Sequence, residues 1–466
     1  MDSFRAGKFR YRIFPVTAPY DPLTARTPGT GLDHLPSYWT ATAGDAPPDD
    51  GPAPAKLDTD VAIIGAGYTG LSCALFLAKE HGIRALVLEA NRPGWGCSGR
   101  NGGFARAAIG RYGFGEMIDK WGRDTARRWF GDSLAAVDTV RTLTKDAAIN
   151  CDLAECGHLK IAHRPRRADA LAREAELLRR EFEYPAEYLS AEQVRIEHIA
   201  GAEAHGALRF PDALAVHPLK LSYGVLSAAR AAGATVHSSS PVLQWSKENG
   251  AHVLTTPQGT VRAKTVVIAT NGYTPEHLFP CLRDTTLPVL SHIIVTRPMT
   301  PREKRESGFV TRHVLTDTRN LLYYWRRMPD DRILFGGRGL ITDSPQGHGR
   351  QREFLLAELK RKLPALADIT VEHDWWGWVC LTADFLPHVH HAADDTSVHY
   401  SIGYQGSGVA YGLHAGRLLA DRVAGKDHRP EIPSTSTPLP RFPLAALRRA
   451  GQRAAYLWYR YLDSRD

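Results

Sequence analysis

The chain has little cysteine and no long apolar run. Its 466 residues include only six cysteines: Cys73, Cys97, Cys151, Cys156, Cys281 and Cys380. No pair stands at zinc-ligand or C-x-x-C spacing, so neither a metal centre nor a redox dithiol is expected. So few thiols in a long chain fit a reducing compartment, and a cytoplasmic location is expected. No apolar stretch reaches the length of a membrane span, so no transmembrane segment is expected. Residues 1–20 are broken by charges and lack the apolar centre of a secretory signal. Charge of one sign is not concentrated either. The formal charge of +8 is scattered, whereas nucleic-acid recognition needs a clustered basic footprint. No nucleic-acid partner is expected. A mildly basic balance suits an anionic ligand, and the length suggests two or more domains.

What the chain does have is a signature at residues 60–89. Residues 60–64 read as a buried strand, and 65–70 as a turn of the form G-x-G-x-x-G. An apolar-periodic helix runs to residue 78, and a second strand closes on Glu89. Gly65 permits the tight turn, Gly67 lets the backbone approach a pyrophosphate, and Gly70 lets the helix pack on the strand. The helix N-terminus, with Tyr68 and Thr69, faces phosphate charge. Glu89, followed by Ala90, accepts from ribose hydroxyls. An acid at this strand end favours a free 2′-hydroxyl, hence FAD or NAD over NADP.

Other stretches extend that reading. Residues 92–104 contain five glycines and the segment Trp95, Ser98, Gly99, Arg100, Asn101 and Gly102. They read as a loop leaving a parallel strand, where open α/β sheets bind ligands. Residues 110–199 read as largely helical, with a strand over 156–162 and a helix over 186–200. Residues 235–242, 251–256 and 259–262 read as a three-stranded meander. It feeds an apolar strand over 265–269 that returns to the first sheet. Residues 281–374 alternate strands and turns, with a helix over 350–363. Their aromatics Tyr323, Tyr324 and Trp325, with Trp378 beyond, would suit a wall over a flat ring. Near the end, a strand over 398–403 meets the turn Gly406, Ser407, Gly408 and Val409 and a helix. Residues 444–462 form a basic, aromatic amphipathic helix, expected to dock on the body or a second subunit, with membrane-surface binding as the alternative.

In this order the motifs resemble the FAD-dependent D-amino-acid oxidase superfamily, and within it the gamma-glutamylputrescine oxidoreductase branch. The resemblance rests on residues 60–72, the loop 94–103 with its S-G-R-N-G-G run, and segments 268–273, 334–338 and 403–409. It implies an α/β (α+β mixed) fold: a Rossmann-like FAD-binding domain with a discontinuous antiparallel-sheet substrate domain. The expected division is an arm at 1–55, FAD-binding segments at 56–105, 200–280 and 375–430, substrate segments at 106–199 and 281–374, and a C-terminal helix at 431–466. It implies FAD held by Gly65, Gly67, Gly70, Glu89, Ser98, Arg100, Asn101 and Gly102. Val242 would lie at the adenine, Thr270 and Gly272 over the cofactor, and Gly406 to Val409 at the pyrimidine end. The implied reaction oxidises the C–N bond of a small-molecule amine to an imine, with molecular oxygen as acceptor and hydrogen peroxide as product. The same superfamily holds amino-acid oxidases and dehydrogenases, and flavin enzymes that use a quinone or carrier protein. Tyr324, Trp325, Arg326 and His292 are the candidate catalytic residues. Arg297 is a candidate for a substrate carboxylate. Sarcosine-oxidase-like relatives place a lysine near the flavin. Here residues 317–345 hold none, and the residues nearby are Arg326, Arg327 and Arg332. Cys380 lies where some relatives attach flavin, and is expected to be an ordinary buried thiol.

Overall fold

The computed structural model describes residues 20–25, 29–108, 110–426 and 431–465. The expected features within 1–19 and 26–28, most of the first part of the N-terminal arm, lie outside them. The first strand, Lys56–Ile64, is the centre of the larger α/β layer. It pairs in parallel with Leu86–Leu88 on one side and Thr260–Ile268 on the other. Thr235–His237 and Val398–Ile402 extend the parallel run at its two ends. The inner residues Val61 to Ile64 are all buried. Such apolar runs suit a sheet covered on both faces.

Helices Tyr68–His81, Pro218–Ala231 and Ala410–Val423 cover one face. Two of them approach very closely. A Cβ on Gly416 would lie 2.6 Å from the Thr69 carbonyl oxygen, so the crossing demands glycine. The expected meander is displaced. Thr235–His237 is a short parallel strand, and the antiparallel ribbon begins one strand later, at Gln244–Glu248. Positive φ at Asn249 and Gly250 makes that hairpin turn.

The second sheet has eight strands. Their order is Val371–Thr382, Thr286–Thr296, Ile333–Arg338, Tyr324–Arg327, Val314–Asp317, His158–Ile161, Ala207–Phe210 and Glu187–Leu189. Every pairing is antiparallel except Val314–Asp317 with His158–Ile161. The division suggested at residue 375 falls inside its edge strand, which runs unbroken from 371 to 382. Residues 207–210 also pair here rather than with the first sheet. Residues 186–200 are not one helix: the first part forms the edge strand Glu187–Leu189, and the helix is Ala191–Glu197. Ser190 caps that helix, accepting from the Gln193 amide at 3.2 Å.

Candidate active site

One cavity runs between the two sheets. It is lined by residues from the first glycine turn, the loop after Leu88, the second sheet and the late glycine turn. Gly65 has φ +107°, and a Cβ on Gly70 would sit 1.9 Å from the Gly65 oxygen. Only glycine allows the chain to turn there and the helix to close on it. Gly70 does this beneath the turn and does not line the cavity; Gly65, Gly67, Tyr68 and Thr69 do. Gly67, the N-cap, has no side chain to cover the helix start; Ser98 Oγ takes the Tyr68 amide, and the amides that follow it are left to an anion. Glu89 lines the cavity. Its carboxylate accepts from the amides of Ala66 at 2.7 Å and Asn91 at 3.0 Å. Burial pushes its pKa up and those amides oppose the shift. Ala90 lies beside it.

The loop after Ala90 is held by three indoles. Trp39 donates to the Asn101 carbonyl at 2.8 Å, Trp375 to the Arg100 carbonyl at 2.7 Å, and Trp95 to the Asp33 carbonyl at 2.9 Å. Ser98 Oγ accepts from the Tyr68 amide at 2.9 Å. Asn101 ties the loop to itself, donating to the carbonyls of Cys97 and Ser98. Trp95, Ser98, Arg100, Asn101 and Gly102 face the cavity. Gly99 does not; a Cβ there would meet the Gly94 oxygen at 2.5 Å. Val242, Thr270 and Gly272 complete this end. Gly272 leaves no room for a side chain, since its Cβ would lie 2.3 Å from the Trp378 oxygen.

The residues present fit FAD. Three buried polar atoms of cavity-lining side chains have no protein partner: Arg100 Nη2, Tyr20 Oη and Gln405 Oε1. A buried unpaired donor is costly, and a long polar ligand would satisfy such groups. At the far end the late turn has φ +54° at Gln405 and +106° at Gly406. Gly406, Gly408 and Val409 line the cavity there, at an uncapped helix start. Ser407 does not; its amide donates to the Tyr404 carbonyl at 2.8 Å.

Strand alternation separates the candidate catalytic residues. Tyr324 faces the cavity, its hydroxyl 2.9 Å from Ser291 Oγ. Burial pushes its pKa up to about 12. Trp325 and Tyr323 are buried in the core of the second sheet, away from the cavity. Arg326 is buried and structural. It donates to the Val216 carbonyl at 2.8 Å and lies over the Trp39 ring. His292 points to the opposite face from its neighbours Ser291 and Ile293, toward Asp374 at 3.1 Å. Burial lowers its pKa. Trp378 is buried behind Gly377 and Val379, and Arg297 is committed to Glu303 at 2.7 Å. Cys380 lines the cavity, and burial pushes its thiol pKa up.

The structure brings forward two residues that the sequence reading did not single out. Arg106 and Arg338 line the cavity. Neither has a carboxylate partner among the described residues, and Arg338 reaches the Gln405 carbonyl only at 3.5 Å. Burial, then the charge of Arg338, pushes the pKa of Arg106 down to about 10. Arg327 and Arg332, by contrast, are paired with Asp331 and Asp330. No lysine lines the cavity among the described residues. Arg338 ends the strand Ile333–Arg338, where alternation with Gly336 would have placed it. Arg106 ends a three-residue strand that carries no periodic signal.

Comparison with known proteins agrees with this geometry. Residues 60–422 match the family described as FAD dependent oxidoreductase. The chain is 32% identical over 398 residues to gamma-glutamylputrescine oxidoreductase of Escherichia coli (strain K12), covering 85% of this chain and 91% of that one. It is 25% identical to glycine oxidase of Bacillus licheniformis, over 80% of this chain and 95% of that one. Among solved structures, glycine oxidase from Geobacillus kaustophilus superposes with a TM-score of 0.67. The identity is 22%, over 82% of this chain and 99% of that one.

Proposed function

The chain belongs to the FAD-dependent oxidoreductase family, and from that premise we propose that it oxidises a small amine carrying a carboxylate. The gamma-glutamylputrescine kind is the leading candidate, by the 32% identity to the oxidoreductase of that name. The C–N bond becomes an imine, which water opens to a carbonyl and ammonia, or to a carbonyl and an amine where the nitrogen carries a second carbon. Molecular oxygen takes the two electrons and two protons and leaves as hydrogen peroxide. FAD, when bound, supplies the ring that accepts the hydrogen and electron pair from the C–H bond.

The chain's residues do the rest by binding, orienting and shielding. Gly65, Gly67, Tyr68 and Thr69 would hold the pyrophosphate at the helix start, with Arg100 and Ser98 beside it. Glu89 would hold the ribose, and Val242 the adenine side. Thr270, Gly272, Gly406, Gly408 and Val409 would bound the ring. Tyr324 keeps its proton at working pH, since burial holds its pKa near 12, and so offers a donor to the substrate.

The observation that carries the substrate class is the pair Arg106 and Arg338. Two guanidinium groups facing one cavity, neither with a carboxylate partner among the described residues, await an anion, and a carboxylate meets arginine in two parallel hydrogen bonds. An α-amino acid presents the same two groups closer together and is the second reading. The six free thiols fit a reducing compartment, which supports the cytoplasm. Aerobic turnover over a panel of amines and amino acids, read as peroxide formed per substrate consumed, tests the reading. One peroxide per carboxylate-bearing amine is expected. Consumption without peroxide would reject oxygen as acceptor.

A further inference from the structure

The C-terminal helix, Arg448–Ser464, has two faces. One docks on the body. Arg448 pairs with Glu276 at 2.6 Å, and Arg449 lies over the Trp378 ring and donates to Asp21 at 3.1 Å. Gln452 and Tyr456 are buried, and Asp463 accepts from the Asn320 and Leu321 amides. Arg449, Gln452, Tyr456 and Asp463 stand three, four and seven positions apart, the spacing of one helical stripe.

The opposite stripe is apolar and uncovered. Leu457 is 68% exposed, Trp458 56% and Tyr461 44%. Leu447 and Leu444, just before the helix, are 57% and 77% exposed. Together they make up most of the large apolar side chains that the described surface exposes. Such clustering marks an interaction surface. Arg453 and Arg460 flank the stripe and Arg441 precedes it; all three are exposed and form no ion pair among the described residues. The helix's one acid, Asp463, is turned inward and spent.

We infer that this outer face docks the protein on a membrane surface bearing anionic lipid headgroups. The helix lies flat, with Leu457, Trp458 and Tyr461 at the acyl boundary and the arginines among the headgroups. A basic amphipathic helix with Trp and Leu on its apolar side is built for that plane, and Trp and Tyr favour the membrane–water interface. Charge decides against a second copy as occupant. A two-fold contact through this stripe would bring Arg453 and Arg460 toward their own images with no acid between them, whereas anionic headgroups neutralise them. No helix among the described residues is long and apolar enough to cross a membrane, so the attachment is peripheral and reversible.

Co-sedimentation of the full flavin-loaded chain with vesicles tests this. The chain is expected to pellet with phosphatidylcholine–phosphatidylglycerol vesicles at low salt, and to stay in solution with phosphatidylcholine alone. The double variant Leu457→Glu, Trp458→Glu should lose binding while keeping its flavin absorbance and melting temperature. The pair Arg453→Gln, Arg460→Gln should weaken binding by roughly thirty-fold, at about five-fold per lost charge near the surface. Failure of the wild-type chain to bind anionic vesicles overturns the inference. So does binding that both variants retain. A concentration-dependent dimer that the Leu457, Trp458 variant disperses would assign the face to a second copy instead.

Discussion

At the scale of the residue, the account rests on charges left without partners. Arg338 is the sharpest case, because it sits at the cavity end of a legible strand and faces Gly406 rather than an acid. Replacing it by Gln keeps the length and removes the charge. A hydrogen bond to a charged group contributes about 1.5–3 kcal/mol, so Arg338→Gln should raise KM for the carboxylate-bearing amine roughly ten- to hundred-fold. Turnover of an amine lacking the carboxylate should not change. Steady-state kinetics on that matched pair checks it; equal losses on both would show that Arg338 shapes the cavity rather than reading the carboxylate. Gly70 and Gly99 carry a different lesson. Their glycines are demanded by the backbone packed against them, so a motif position can be essential while touching no ligand.

At the scale of the element, the helix Pro345–Lys362 delivers its last residue into the second sheet. Lys362 Nζ lies 2.9 Å from both Asp317 and Glu203, and Arg319 joins the same two acids. Burial alone would raise the pKa of Glu203, but Lys362, Arg319 and Arg361 hold it well below the usual range. Removing one member strands buried charge. Lys362→Ala should therefore destabilise the chain by roughly 3–5 kcal/mol, with a smaller loss for Lys362→Arg; urea unfolding measures both. The elements differ in how far the sequence discloses them. The strand, turn and helix over 56–81 declare themselves, because a glycine turn between an apolar run and a helical period has few alternatives. The second sheet does not. Its side chains change face with every residue, so His292 and Ser291 could not be told apart without the register to Trp376 and Gly377. Trp325 falls on the wrong face for the same reason, whereas Arg326 shares the face of Tyr324 but lies further along the strand, where it donates to the Val216 carbonyl; the edge strand Val371–Thr382 has a partner some eighty residues earlier, which no local pattern discloses. Arg106 had no signal at all: its strand is three residues long.

At the scale of the whole molecule, buried titratable groups tie the fold to neutral pH. Burial holds His217 and His399 near pKa 4 and His158 well below its ordinary value of 6.5. Between pH 6.5 and 4 the unfolded imidazoles take up protons that the folded ones refuse, so stability falls as pH falls. Glu203 and Glu276 act in the same direction, being held below the 4.5 of a free glutamate by their cationic partners. The stability they contribute is present above that value and lost on further acidification. The melting temperature should thus decline steadily from pH 7 to pH 4; a flat profile would show that these groups stay solvated. The fold's central feature is the cavity between the two large sheets, lined by the glycine turns of one, by Arg338 of the other, and by Arg106 from a short third sheet. The most direct measurement of that claim is anaerobic titration of the purified yellow protein. The account predicts that a carboxylate-bearing amine bleaches the flavin absorbance stoichiometrically, while its carboxylate-free counterpart does so only at far higher concentration. A protein without bound FAD, or one that such amines leave yellow, would contradict it.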